Sequence, residues 1–286
     1  MSTRKNPTHD APGGSLAALR PRALIFTIYG LYAREEGGWI SIESLVRLAA
    51  ELGIDESAVR SAISRLKRRG VLEAERIDGA AGYTLSADAR QMLEEGDRRI
   101  FSRPHTPHDG EWILAVFSVP ESERSKRHAL RSQLTWLGFG TVGSGVWIAP
   151  GHLEDETRDT LERIGMTQYV DLFRATHAGF RTTAAEVAEW WDLEVLSERY
   201  ARFLSEFEST LDTWRRRRRR DDEGEAFADY VRVLTAWRRL PYLDPGLASE
   251  LLPYDWMGAK AADLFFALDR RIAAPAHRFV ESVRGS

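Results

Sequence analysis

The 286-residue chain contains no cysteine. Disulfides, thiolate nucleophiles and cysteine-based zinc sites are thereby excluded. No apolar run approaches the roughly 18 residues of a membrane-spanning helix, so no membrane partner is expected. The opening MSTRKNPTHDAPGGSLA lacks the apolar centre of a signal peptide. Residues 1–20 are expected to be a disordered leader, and the protein to be cytoplasmic. Marks of catalysis are scarce too: there is no HExxH, Walker loop or GxSxG. Of the seven histidines, His105 and His108 stand three apart with only Asp109 beside them, in a proline-rich stretch that reads as linker. Gly138-x-Gly140-x-x-Gly143-x-Gly145 superficially matches a phosphate loop. Such a loop leads from a strand into a helix, whereas this one leads into Val146-Trp147-Ile148, so a tight β connection fits better. No catalytic residue, metal or resident cofactor is assigned. The formal net charge is −3, which argues against a chain coated in basic charge but not against a local basic surface.

Such a surface is present in DESAVRSAISRLKRRG, Asp55 to Gly70. Asp55 is a good N-cap, and Gly70 stands where a helix end favours positive φ. Val59, Ala62, Ile63 and Leu66 share one face at 3.6-residue spacing. The opposite face carries Ser57, Arg60, Ser61, Ser64, Arg65 and Arg68. Arg60 to Arg69 holds five basic residues and no acid. Arginines bind phosphates and guanine edges, and serines let a helix approach the duplex closely. The pattern predicts a DNA-recognition helix using those six residues.

The flanks extend the pattern. Ser41 to Leu52 is a second amphipathic helix, broken by Gly53, with Ile54 plugging the turn. Val71 to Ile77 has β character, Asp78 to Gly82 reads as a turn, and Tyr83-Thr84-Leu85 returns as a strand. With Leu24 to Tyr32 as a first helix and Trp39-Ile40 as a short third strand, the sum is a winged helix-turn-helix over residues 21–101, closed by a helix from Ser86 to Phe101. A three-helix module for protein contacts is the bland alternative.

Residues 102–110 hold two prolines and a glycine and read as a linker. Residues 111–180 then run strand (112–119), basic helix (122–137), two short strands (138–142 and 146–149), helix (154–164) and strand (169–175). That βαββαβ order predicts a ferredoxin-like sandwich. Residues 181–286 read as a helical domain. It holds one long run from Ala185 to Arg217, a helix from Ala226 to Leu240, a turn at Pro241 to Gly246, and a last helix, Trp256 to Val280, capped by Asp255. The fold class is multidomain α+β.

Three blocks resemble the PaaX-like family of phenylacetate-degradation transcriptional repressors. They are ALIFTIYGLYAREEGGWISIESL with AVRSAISRLKRRGVL; WILAVFSVPESERSKRHALRSQLTWLGFGTVGSGVWIAP; and AWRRLPYLDPGLASELLPYDWMGAKAADLF. The first block is common to many regulators. The other two are far more specific, RLPYLDPGL followed by LLPYDW-x-G above all. The resemblance implies a homodimeric repressor that binds double-stranded, palindromic operator DNA and is released by an aryl-acetyl-CoA thioester, phenylacetyl-CoA or a related acyl-CoA. It also likens the middle domain to a ferredoxin-like CRISPR-associated nuclease. Those nucleases carry a metal-binding acid at the end of their first strand. Here that strand runs out through Phe117-Ser118-Val119-Pro120-Glu121, with no aspartate.

An acyl-CoA needs an aromatic pocket for its acyl group and basic residues for its phosphates. Arg238, Arg239, Tyr254, Trp256 and Lys260 are the candidates. Trp190, Trp191, Trp237 and Trp256 read first as core residues. The run Arg215 to Arg220 reads as a solvated helix end balanced by the acids after it; phosphates of flanking DNA or of CoA are the alternatives. The leading reading is thus a ligand-responsive repressor and not an enzyme. A CoA-thioester or nucleic-acid hydrolase with a winged-helix targeting module competes with it, and a protein-interaction adaptor is weaker.

Overall fold

A computed structural model describes residues 20–34, 37–102, 110–217 and 222–285. The expected leader, except for Arg20, and the linker between Ser102 and Gly110 lie outside the described residues. So do His105 and His108.

Helix α1 (Pro21–Ile28) starts with a proline at its first turn, where the missing N–H costs nothing. It continues as a wider turn over Tyr29–Ala33. Strand β1 (Trp39–Ser41) leads into α2 (Ile42–Glu51), whose first turn is closed by the Ser44 N–H donating to the Ser41 hydroxyl at 3.0 Å. Helix α3 (Glu56–Arg68) follows, then strands β2 (Leu72–Ile77) and β3 (Ala80–Leu85) and helix α4 (Ala87–Phe101). The three strands form an antiparallel sheet in the order β1-β3-β2. The wing turn is tighter than its sequence suggests. Asp78 and Gly79 alone turn the chain, at φ +50° and +83°, and Ala80 to Gly82 already pair with β2. Two central residues with positive φ match the right-handed twist of a hairpin, which explains why Asp-Gly suffices.

Gly82 pairs with Ser41 on one side and Glu75 on the other. A Cβ there would lie 2.6 Å from the Ile40 carbonyl oxygen. Gly82→Ala should therefore pry β1 from β3 and lower stability by about 1–3 kcal/mol, read as a fall in the melting temperature. An unchanged melt would mean that the β1 edge yields freely.

The middle sheet contains β4 (Glu111–Phe117), β5 (Gly140–Gly143), β6 (Val146–Pro150) and β7 (Val170–Thr176). Its order is β5-β6-β4-β7, with every neighbouring pair antiparallel. With α5 (Arg124–Trp136) and α6 (Glu154–Arg163) this is the βαββαβ sandwich read from the sequence. The glycine-rich stretch is a strand and hairpin, with no helix after it. One sheet face, through Ile113, Ala115 and Trp147, packs with Leu130, Leu134 and Leu161 of the helices. On the other face Trp112 and Ile148 meet Val187, Trp191, Leu193, Leu247 and Leu251.

The long helix expected from Ala185 to Arg217 is two helices, α7 (Thr183–Trp190) and α8 (Leu193–Arg216). Trp191 leaves the helical path, packs against Trp112 and donates its indole N–H to the Gly138 carbonyl at 2.8 Å. Asp192 then caps α8 by accepting from the Val195 N–H at 3.1 Å. Helix α9 (Glu223–Trp237), a short α10 (Leu240–Leu243) inside the expected turn, and α11 (Met257–Arg284) complete the chain. Trp256, not Asp255, stands at the α11 N-cap, and no side chain caps that helix.

The first and third regions share one hydrophobic cluster. Leu24, Ile25 and Ile28 of α1 belong to the same core as Phe203, Phe227, Trp237 and Phe265. Polar contacts follow the same seam. The Thr235 hydroxyl meets that of Thr27 at 2.7 Å, and Arg284 donates to the Tyr32 and Trp39 carbonyls, each at 3.0 Å. The winged-helix head is therefore built onto the helical region and does not hang free from it.

Candidate nucleic-acid interface

Helix α3 is held by its apolar face. Val59, Ala62, Ile63 and Leu66 are at most 4% exposed. The six residues assigned to DNA, Ser57, Arg60, Ser61, Ser64, Arg65 and Arg68, are all exposed. Two of them have partners within the helix. The Ser57 hydroxyl donates to the Asp55 carboxylate at 2.6 Å, and Arg60 donates to Glu56 at 2.9 Å. Ser57, then the Ala58 N–H, hold Asp55 below its ordinary carboxylate range. Ser61, Ser64, Arg65 and Arg68 make no hydrogen bond or ion pair among the described residues, which leaves them available to a ligand.

On its wing side α3 borders a groove of about 340 Å³ lined by Ile42, Arg60, Ile63, Ser64, Lys67, Arg68 and Tyr83. The Lys67 ammonium lies 5.5 Å from the centre of the Tyr83 ring. On the other flank, Arg65 and Arg69 lie near Arg22 in the first turn of α1, with Arg20 just before it. Partial burial first, then the Arg69, Arg20 and Arg65 charges, lower the Arg22 pKa from its ordinary value. Arg20, Arg22, Lys67 and Arg69 are not among the sequence candidates. Lys67 and Arg69 flank the serine-arginine face, and Arg20-Pro21-Arg22 opens α1 ahead of its apolar residues, where no periodicity points to it.

The ligand candidates divide. Arg238 is partly buried. It lies 4.8 Å over the Phe26 ring, donates to the Ala23 carbonyl at 3.5 Å, and is lowered by burial to about 10. It rivets α9 to α1. Trp256 packs edge-on against Tyr200, 5.8 Å between centres, and the Tyr200 hydroxyl donates to Asp244 at 2.7 Å. Tyr254, Lys260 and Arg239 are exposed. Arg239 neighbours Arg199 of α8; burial, then the Arg202 and Arg239 charges, lower Arg199 from its ordinary value.

The RLPYLDPGL block is a junction. Tyr242 stacks on Trp136 of α5, 4.9 Å between centres, and lies under Arg99 of α4. Arg99 in turn bonds Glu156 of α6 at 2.8 Å and the Leu137 carbonyl at 3.1 Å.

Of the arginine run, Arg215 to Arg217 are described. Arg217 lies over the Trp214 ring at 4.4 Å and pairs with Asp222 at 2.9 Å and with Glu225. Beyond the end of β4, Glu121 pairs with Arg127 at 2.9 Å. The described His, Asp and Glu residues include no cluster that could hold a metal ion. No described helix is long and apolar enough to cross a membrane.

These features define a winged-helix protein whose head is fused to a ferredoxin-like and a helical region. Residues 20–89 match the family described as PaaX-like protein, residues 105–187 the PaaX protein central Cas2-like domain, and residues 191–282 the PaaX-like protein C-terminal domain. The chain belongs to the PaaX-like family, which is regulatory rather than enzymatic. It is 28% identical over 264 residues to the transcriptional repressor PaaX of Escherichia coli strain K12, covering 90% of this chain and 82% of that one. It also resembles the solved structure of the uncharacterized protein Rv0674 from Mycobacterium tuberculosis. That likeness has a TM-score of 0.56 at 25% identity, and covers 88% of this chain and 99% of the other.

Proposed function

We propose that the protein is a dimeric transcriptional repressor that reads double-stranded operator DNA with α3 and releases it on binding an aryl-acetyl-CoA. The observation that carries the DNA reading is the clean division of α3. Its four apolar residues are buried, and its serines and arginines are exposed on the opposite face. The repressor assignment rests on the likeness to the Escherichia coli repressor. Two heads in a homodimer would meet half-sites one helical turn apart or a multiple, about 34–36 Å per turn. The control of an aromatic-acid catabolic operon belongs to the same proposal.

For the effector, Arg239, with Arg199 beside it, supplies charge for the CoA phosphates. Tyr254, Trp256 and Lys260 stand in the neighbouring motif. Release then follows from linkage: the thioester binds one arrangement of the dimer better than the arrangement that fits the operator. Phenylacetyl-CoA should bind the free protein in calorimetry and displace it from DNA, and saturating operator should weaken thioester binding by the same factor. Free phenylacetate lacks the phosphates and should do neither. Release by the free acid alone would remove the CoA effector and leave the DNA reading in place.

A further inference from the structure

Winged helices have two features that can touch a duplex beside the recognition helix: the wing and the elements flanking the helix. In this chain the charge is divided unequally between them. The wing exposes Glu73, Glu75 and Asp78 against a single Arg76, and Arg76 is turned back to donate to the Gly79 carbonyl at 3.1 Å. A strand pair with that balance repels phosphate. On the opposite flank, α1 packs across α3. Arg20 and Arg22 stand at its start, with Arg65 and Arg69 of α3 close to Arg22. None of these four arginines has a carboxylate partner among the described residues. Like charges gathered without a counter-ion destabilise the fold, and a bound polyanion would reverse the sign of that cost.

We propose that Arg20, Arg22, Arg65 and Arg69 form a phosphate-binding cluster that grips the DNA backbone beside α3, and that the wing takes no part in holding the duplex. The proposal rests on the reading of α3 as the recognition helix and adds which side of it faces the neighbouring strand. The division of labour is geometric. Ser57, Ser61, Ser64 and Arg68 fall at the middle of the exposed arc and face the base edges. Arg65 and Arg69 fall at its α1 edge and continue into Arg20 and Arg22. Contacts of the first kind specify sequence, and those of the second kind position the helix without reading it.

The test is the salt dependence of DNA binding by the full-length protein. Removing one arginine–phosphate interaction should flatten the slope of log affinity against log salt by about one. The double variant Arg20→Ala/Arg22→Ala should flatten it by about two and weaken operator and unrelated duplexes by the same factor. Its melting temperature should not fall, because a repulsion has been removed. Arg76→Ala, in the wing, should leave slope and affinity unchanged. A wild-type slope in the double variant, or a flattened slope in Arg76→Ala, would overturn the cluster. In the first case Arg68→Ala, if it still loses operator preference, would show that α3 remains the reader. Inorganic tripolyphosphate separates DNA from a free polyphosphate as the source of the anion. If it binds the cluster tightly in calorimetry while the double variant keeps the wild-type DNA slope, the cluster serves a small anion and the DNA assignment fails.

Discussion

Trp237→Ala should destabilise the winged helix and the helical region together, by about 3–5 kcal/mol. The indole is 4% exposed and stacks on Phe265, with 4.8 Å between ring centres and 11° between planes. Its N–H donates to the Ile100 carbonyl of α4 at 3.0 Å. Truncation therefore opens a cavity in the core shared by both regions and removes a hydrogen bond that crosses between them. Urea unfolding, followed both by helix content and by DNA binding, should show the two signals moving to lower denaturant in step. A variant that loses helix content while its DNA binding persists to wild-type denaturant concentrations would show that the head folds by itself.

Ile63→Asp should abolish DNA binding by unfolding the head. Ile63 is 3% exposed at the centre of the inward face of α3. The substitution buries an unpaired carboxylate and deletes a packed aliphatic chain, a loss of at least about 3 kcal/mol. Ser64→Asp is the control. One residue further on, the side chain is exposed, so the protein should melt as wild type and still bind DNA poorly, because the new charge faces phosphate. Equal melting temperatures in the two variants would mean that the buried and exposed faces of α3 have been exchanged.

The elements legible in the sequence are those with local signals. Ser41, Asp55 and Ser86 each close a helix start by accepting from the N–H three residues on. Asp78-Gly79 turns the hairpin, and Gly138 and Gly70 take up positive φ just past their helices. What escapes a sequence reading is decided over long distances. The break between α7 and α8 exists because Trp191 is drawn to Trp112 and to the Gly138 carbonyl, 53 residues earlier in the chain. Arg238 and Arg239 are neighbours in sequence with opposite fates, since α1 arrives over one and leaves the other exposed. The amphipathic face of α1 announces burial but not its partner. The proline-rich stretch after Phe101 therefore suggests a detached head, whereas α1 and α2 are buried against α9 and α11. At the candidate interface, the exposed face of α3 is legible from periodicity, while Arg22 is joined to it only by the fold.

Selection of bound duplexes from a random-sequence pool tests the central claim most directly. Wild-type protein should enrich one palindromic motif, with half-site centres separated by a whole number of helical turns. Arg68→Ala, on the exposed face of α3, should fold as wild type but lose preference at a symmetric pair of positions, at a cost of about 1–3 kcal/mol against the preferred duplex. An Arg68→Ala variant that enriches the wild-type motif at undiminished affinity, together with an Arg65→Ala variant that does the same, would contradict the assignment of α3 as the helix that reads DNA.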